Sequence, residues 1–401
     1  MSTTLNFSEL ISQFDLGRFL TENKQLSAEK YLLSRKDNTK ELNTLLAQQI
    51  SIYLKAESKI PTFALKHCWF TSKSYEQASS ESSALFKSNL FKGNKILDLS
   101  GGLGVDDWAF SKSFKQVISL DPDEFLNLLV RENFKKLNIQ NINRLTSSAE
   151  DFLENSEESF DLIFLDADRR SESGKVFFLE QGKPNYLEIE KKCELVCPRV
   201  LLKLSPMVDL TYLKKTLLHL SKIWIVGNKY EVKEVLALVD YNQKNEPEIE
   251  AVIVGDESKT LHFNPKNHKE NTVSKAVQPA EFSYLFEPHP CIIKGNLHGT
   301  YAEENNLKLL SKQSLYYLGD QIPENFMGRS FRIIQSINFS KPSIKKYLKE
   351  NNIKQANVSK RNFPLEVTAL RKMFELNEGG LDYLFFTCKE NGEKQLFHCK
   401  K

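Results

Sequence analysis

The chain has 401 residues, too many for one small module and enough for two or three domains, since single cores rarely grow beyond about 250–300 residues. Hydrophobic residues make up 40% and charged residues 27%, with only 16 Gly and 13 Pro, which excludes a collagen-like or largely disordered chain. The net charge of +3 hides a split: residues 281–401 hold 18 basic and 13 acidic residues, whereas residues 1–280 hold 37 and 39.

No run approaches the roughly 18–20 uninterrupted apolar residues of a membrane span. The opening Met1-Ser2-Thr3-Thr4 lacks a basic segment followed by an apolar one, so a cytoplasmic location is expected. Six scattered cysteines without a C-x-x-C pair point to reduced thiols. Cys193 and Cys197 are four apart and His289, Cys291 and His298 lie close in sequence, but zinc needs four ordered ligands and no metal is expected.

In chain order, residues 1–60 have helical spacing, with Leu42, Leu45, Leu46, Ile50, Tyr53 and Leu54 recurring at three- and four-residue steps. After Pro61 and a serine-rich stretch, Ser79 or Ser80 is placed to cap a helix through Ala84, Leu85 and Leu90. From Lys95 short Ile/Leu runs alternate with amphipathic stretches, the pattern of a parallel sheet covered on both faces. Strands are predicted at 95–99, 117–121, 142–146, 160–166, 199–205, 222–227 and 249–255. Helices are predicted near 104–113, 124–137, 149–154, 186–196, 210–220 and 230–239. Residues 260–263 are placed to pair with 249–255 as a hairpin, and 264–275 reads as a linker. Beyond Ala280 the signals are shorter: Cys291-Ile292-Ile293, a helix around 301–310, then 314–318 and 331–337, a lysine-rich helix at 342–351, a helix at 365–374 and a strand at 383–387.

The strongest motif is Lys95-Ile96-Leu97-Asp98-Leu99-Ser100-Gly101-Gly102-Leu103-Gly104, an apolar strand ending in an acid, then a glycine turn and a helix. In the dinucleotide fingerprint the glycines follow the strand directly and seat a pyrophosphate on the helix N-terminus. Here Asp98 precedes the turn and would repel a phosphate. A ligand carrying an ammonium and a sulfonium group tolerates an acid there, and bare glycine backbone allows close approach. S-adenosylmethionine has those charges. Asp121 ends the next strand, where a carboxylate can accept bonds from both hydroxyls of a ribose; it can equally start the turn before Pro122.

Ser148, Glu150 and Asp151 follow the third predicted strand, placed either to bind an adenine amino group or to cap a helix. Asp166-Ala167-Asp168-Arg169-Arg170 ends the fourth strand, on the side where open α/β sheets bind ligands. Asp166 and Asp168 are candidate proton acceptors, while Arg169 and Arg170 either hold an anionic substrate or neutralise the acids. Lys203, within the apolar fifth strand, needs a partner in Asp166 or Asp209.

These stretches resemble a class I S-adenosylmethionine-dependent methyltransferase, and more narrowly a bacterial family with a helical N-terminal region and C-terminal ferredoxin-like and THUMP-like domains. The matching segments are Glu76-Gln77-Ala78-Ser79-Ser80-Glu81, Asp98 to Asp106, Asp166 to Arg170, Lys203 to Met207, Glu287-Pro288 and Lys360-Arg361-Asn362-Phe363-Pro364-Leu365. The resemblance implies an α/β fold with a Rossmann-like, seven-stranded, doubly wound sheet, an N-terminal helical domain and a C-terminal α+β region. It implies domains at 1–75, 76–264, 276–330 and 331–401. It implies S-adenosylmethionine contacts at Asp98, Gly101, Gly102, Gly104 and Asp121 and a substrate-side strand end at Asp166; beside these, Ser100, Glu150 and Asp166 are expected to contact the cofactor, and Asp166, Asp168 and Arg169 to serve catalysis. The chain departs from the family at Asp168, where the usual segment is similar to Asp-Pro-Ala-Arg-Arg, and at Ser148, where many class I enzymes place an acid. It also has no Asp/Asn-Pro-Pro-aromatic motif of the kind that serves exocyclic amines.

Between Lys341 and Arg361 seven basic residues face only Glu350, the electrostatic footprint of a polyanion binder. RNA, either tRNA or rRNA, is the expected partner, with Phe363, Tyr383, Phe385 and Phe386 as candidate stacking surfaces. Two rival readings are a catalytically silent RNA-binding protein on the same sheet and a methyltransferase for a protein or small metabolite.

Overall fold

A computed structural model describes residues 9–34, 39–167, 178–255, 260–265 and 282–401, with the backbone alone at 170–171 and 174–175. The chain divides into two compact units, one of Met1–Ile223 with Glu234–Pro247, the other of Trp224–Lys233 with Glu248–Lys401.

The first unit opens with helices α1 (Leu16–Glu22), α2 (Ala28–Ser34), α3 (Lys40–Lys59), α4 (Pro61–Leu65), α5 (Ser72–Gln77) and α6 (Glu81–Asn89). Thr39 caps α3 by accepting from the Leu42 amide; of the predicted stripe Leu42, Leu45 and Leu46 are buried, Ile50 and Tyr53 are half-buried and Leu54 is exposed, while Ile52 and Ala56 complete the buried face. Ser80 caps α6 through the Ser83 amide at 3.2 Å.

Seven strands follow: β1 (Gly93–Asp98), β2 (Phe114–Asp121), β3 (Ile142–Thr146), β4 (Leu162–Leu165), β5 (Arg199–Leu204), β6 (Leu220–Gly227) and β7 (Val232–Asp240). Their spatial order is 3-2-1-4-5-7-6. The first five are parallel and β7 is antiparallel to β5. The order reverses beside β1, so the ends of β1, β2 and β4 border the switch point at which such sheets bind ligands. Helices α7 (Val105–Phe110), α8 (Glu124–Lys136), α9 (Ala149–Asn155), α10 (Tyr186–Val196) and α11 (Leu210–Thr216) connect the strands.

The predicted helix at 230–239 is instead β7, while the predicted strand at 249–255 is indeed a strand of this sheet, next to β6. Val232-Lys-Glu-Val-Leu-Ala-Leu-Val lacks alternation because β7 is covered on both faces and buries Val235, Leu236 and Ala237 completely, so packing overrides the helical preference of Glu, Leu and Ala.

In the second unit β8 (Glu248–Ile253) pairs antiparallel with β9 (Leu261–Phe263), the predicted hairpin. Most of the predicted linker at 264–275 lies outside the described residues. Then come β10 (Tyr284–Pro288), α12 (Pro290–Lys294), α13 (His298–Glu304), β11 (Lys308–Leu309), β12 (Tyr317–Gly319), β13 (Gly328–Asn338), α14 (Lys341–Glu350), β14 (Asn357–Lys360), α15 (Val367–Phe374), β15 (Asp382–Cys388) and β16 (Lys394–Lys400). The strands form one sheet in the order β11-β12-β10-β13-β16-β15-β14. The pleat divides its apolar residues between two clusters: Leu384, Phe386 and Leu396 pack with Ile344, Leu348 and Phe374, whereas Phe385 and Phe397 pack with Leu285, Tyr316 and Phe331.

This packing corrects the stacking expectation: Phe363, Phe385 and Phe386 are 6%, 1% and 0% exposed and serve the core, while Tyr383 is half-buried. His289 caps α12, accepting from the Cys291 amide at 3.2 Å, and its Nε2 lies 2.8 Å from the Asn228 carbonyl. Among the described residues no helix is long and apolar enough to cross a membrane.

Candidate functional site

The glycine turn links β1 to α7. Asp98 is 1% exposed, and its Oδ1 accepts from the Ser100 amide at 2.8 Å and the Ser100 hydroxyl at 3.1 Å. Gly101 donates to the Leu120 carbonyl at 2.8 Å, fastening the turn to β2. A Cβ on Gly101 would stand 1.8 Å from Arg144 Nη1 and 2.2 Å from Ser119 Oγ, so only glycine fits. Gly102 (φ +50°) donates to Asp121 Oδ2 at 3.1 Å, and Gly104 (φ +80°) opens α7.

The turn therefore gathers Asp98, Ser100, Gly101, Gly102 and Asp121 at adjoining strand ends. Asp166 joins them, because its amide donates to Ser100 Oγ at 2.7 Å. Glu150 stands apart in the first turn of α9 and is exposed. Ser148 caps that helix, accepting from the Asp151 amide at 3.1 Å and donating to Asp151 Oδ2 at 2.7 Å. Asp168, Arg169 and the Arg170 side chain lie outside the described residues.

Beneath the turn is a buried polar hub that sequence reasoning missed. Arg144, 4% exposed, donates from Nε to Asn127 Oδ1 at 2.7 Å and from Nη1 to Ser119 Oγ at 2.7 Å and Asp107 Oδ2 at 3.1 Å. Its Nη2 donates to the Gly102 carbonyl at 2.8 Å and lies 3.6 Å from Asp121 Oδ2. One guanidinium thus spans the first three strands, using a fork of donors that lysine lacks. The available sequence signal was a lone arginine inside a short apolar strand.

Burial, followed by the adjacent Asp107 carboxylate, holds the Asp98 carboxyl well above the ordinary value of 3.8. Burial raises Asp107 as well, against the pull of Arg144. The two acids favour a shared proton over two full charges.

A second hub surrounds Lys87, whose side chain is fully buried. Its Nζ lies 3.0 Å from Asp106 Oδ1 and 3.2 Å from Glu234 Oε1, and donates to Ser79 Oγ at 3.0 Å. Ser79 in turn donates to Asp106 Oδ2 at 2.7 Å. The two carboxylates keep Lys87 charged, raising its pKa despite burial. Ser79, Ser83 and Lys87 recur at four-residue spacing, which is the signal that could have found this face.

At the end of β4, Asp166 Oδ2 pairs with Lys203 Nζ, so Asp166 is the partner that Lys203 required; Asp209 instead caps α11. Lys203 lines a small, largely apolar cleft at the ends of β4 and β5, walled by Ala167, Phe178, Pro184, Tyr186 and Val208.

The donor set fits S-adenosylmethionine. Acids end both β1 and β2, and a turn that refuses a Cβ lies between them.

Residues 328–401 match a family model described as THUMP domain-like. The crystal structure of a candidate methyltransferase from Porphyromonas gingivalis W83 is similar over 96% of this chain and 97% of that one, at 27% identity and a TM-score of 0.84. A candidate methyltransferase from Streptococcus mutans in complex with SAH is 18% identical over 40% of this chain and 96% of its own, with a TM-score of 0.31. M. capricolum TrmK in complex with S-adenosyl-homocysteine is 15% identical over 42% of this chain and 71% of its own, also at 0.31. No curated protein sequence matches the chain. The strand order, the acid-flanked glycine turn and the whole-length likeness to the Porphyromonas protein give the chain the fold of a class I S-adenosylmethionine-dependent methyltransferase, with a THUMP-like C-terminal region.

Proposed function

We propose that the chain methylates RNA. The observation that carries this reading is α14, in the segment that matches the THUMP domain-like model. Ile344 and Leu348 are buried while Lys341, Lys345, Lys346 and Lys349 are exposed, with Lys354 just beyond. Some of this charge is spent locally: Lys345 lies 2.8 Å from Glu375, Lys346 3.8 Å from Glu350, and Arg361 3.2 Å from Glu287. Lys341, Lys349 and Lys354 form no ion pair among the described residues, and these three are placed to neutralise phosphates.

In this reading Asp98 and Asp121, with the backbone of Ser100 to Gly104, hold S-adenosylmethionine, which supplies an already activated methyl group. The chain's own contribution is mainly alignment, for which effective molarities up to about 10⁵–10⁸ M are available. Asp166 receives a proton from the acceptor, a role worth about 10²–10⁴ in rate. Lys203 holds the Asp166 carboxylate in place.

The test is transfer of labelled methyl into total RNA, protein and metabolite fractions, followed by nucleoside analysis. Label in RNA is expected. Label confined to protein or metabolites, or donor binding without transfer, overturns the reading.

A further inference from the structure

Helix α14 covers one face of the sheet in the second unit, where Ile344 and Leu348 pack with Leu384, Phe386 and Leu396. Residues two apart on a strand share a face, so the same face carries His398 and Lys400 of β16 and Asp382 of β15. Arg332 of β13 stands directly opposite Lys400, and Lys400 directly opposite Asp382. Arg332 and Lys400 are exposed and Asp382 is half-buried, so the sheet leaves the cover of the helix along this row. Like charges directly opposite one another destabilise a sheet, and only one of these two is answered: Lys400 lies 3.9 Å from Asp382, whereas Arg332 has no ion pair among the described residues. The row is a ledge whose uncompensated charge an anion would relieve.

At its edge runs a chain of hydrogen bonds that the RNA reading does not use. His398, 3% exposed, has Nε2 2.7 Å from Asp382 Oδ1 and Nδ1 2.7 Å from the hydroxyl oxygen of Tyr347 on α14. A carboxylate only accepts, so Nε2 carries the proton of the neutral ring and Nδ1 accepts from Tyr347. Burial, and after it the Asp382 charge, raises the Tyr347 pKa above its ordinary 10.0, so the phenol keeps the proton it shares with His398. Tyr347 is half-buried, and with its one proton committed its oxygen offers lone pairs alone. The ledge thus sets two cations beside an acceptor that has no proton to give.

Along a nucleic-acid strand the phosphate and sugar-ring oxygens only accept. The ribose 2′-hydroxyl is the backbone group that donates, and DNA lacks it. We propose, resting on the RNA reading above, that this ledge seats one ribonucleotide of a single strand: Arg332 and Lys400 hold its phosphate, and the Tyr347 oxygen accepts from its 2′-hydroxyl. Asp382 and His398 are then positioning residues, which turn the phenol proton away from the ligand. The lysines of α14 grip any polyanion, whereas this acceptor rewards ribose, so the ledge adds a preference for RNA over DNA to a grip that is blind to the sugar. One net hydrogen bond of this kind is worth about three- to tenfold in affinity.

The test uses the full chain and fluorescence anisotropy with labelled single strands of one sequence, made as RNA, DNA and 2′-fluoro RNA. The parent should bind RNA about three- to tenfold tighter than DNA, and 2′-fluoro RNA, which keeps the ribose pucker without the donor, should bind like DNA. Tyr347→Phe should bring the RNA affinity down to that of DNA while the DNA affinity stays within about twofold, a split that a general loss of structure does not produce. Arg332→Gln, which breaks no ion pair among the described residues, should weaken RNA and DNA alike and reduce the salt slope by about 0.7. A parent that binds RNA and DNA alike, 2′-fluoro RNA bound as tightly as RNA, a Tyr347→Phe variant with the parent's ratio or an Arg332→Gln variant with the parent's affinity overturns the ledge assignment. The RNA reading survives each of these outcomes when labelled methyl enters RNA, and falls only with that transfer assay.

Discussion

The paired acids under the glycine turn give the protein a pH signature. Native Asp98 and Asp107 bind protons more tightly than they do in the unfolded chain, so the folded state holds more protons. Stability must therefore fall as pH rises from 3.8 through the raised native values, opposite to the usual salt-bridged aspartate. Asp98→Asn removes one ionisation and leaves Asp107 to Arg144. Thermal unfolding between about pH 4 and 8 should show a smaller decline in midpoint for this variant than for the parent. An equal or larger decline would refute the shared proton. At this scale the sequence was legible at Asp98 and at the glycines because order along the strand and turn is itself the signal. Arg144, Asp107, Ser119 and Lys87 were opaque, since each acquires its partners from a distant segment: Lys87 is 147 residues from Glu234 and Arg144 is 37 from Asp107.

Among the elements, the turn between β1 and α7 separates two effects that glycine substitutions usually mix. A methyl at Gly101 runs into Arg144, and that side chain cannot swing away cheaply because its hydrogen bonds bind it to Asn127, Ser119, Asp107 and Gly102. A methyl at Gly102 meets nothing closer than 3.7 Å and costs only the left-handed backbone. Gly101→Ala should therefore lose about 1–3 kcal/mol from overpacking plus a further loss from broken Arg144 bonds. Gly102→Ala should lose about 1 kcal/mol. Urea unfolding midpoints decide the order, and a reversed order would mean that Arg144 does not brace the turn. Strands β1 to β6 were readable because they are short β-branched runs between turn signals. β7 was not, since Glu234 to Ala237 are buried in a row and Glu, Leu and Ala favour helix, so no period of two shows.

For the whole molecule, the prediction concerns salt. Each phosphate neutralised on a single strand steepens the fall of log affinity with log salt by about 0.7. Replacing Lys341, Lys349 and Lys354 together with Gln should reduce that slope by about 2, with donor affinity unchanged. Replacing Lys345 and Lys346, already committed to Glu375 and Glu350, should change it less. Filter binding of total RNA across a salt series distinguishes the sets, and equal effects would remove α14 from the RNA contact. The charge asymmetry of the chain was plain from composition, but its local neutralisation was not, because Glu287, Glu366 and Glu375 come from separate elements.

The distance from Lys87 to its second counter-ion also has a meaning in time. A ribosome adding about 5–20 residues per second needs roughly 7–30 s to reach Glu234 after Lys87 has emerged. Throughout that interval Asp106 alone can neutralise the ammonium, and the hollow it is destined for stays open to water. The first strands are thus obliged to wait, loosely assembled, for the last one. The nascent chain should remain protease-sensitive until β7 clears the exit tunnel and then close in a single late step.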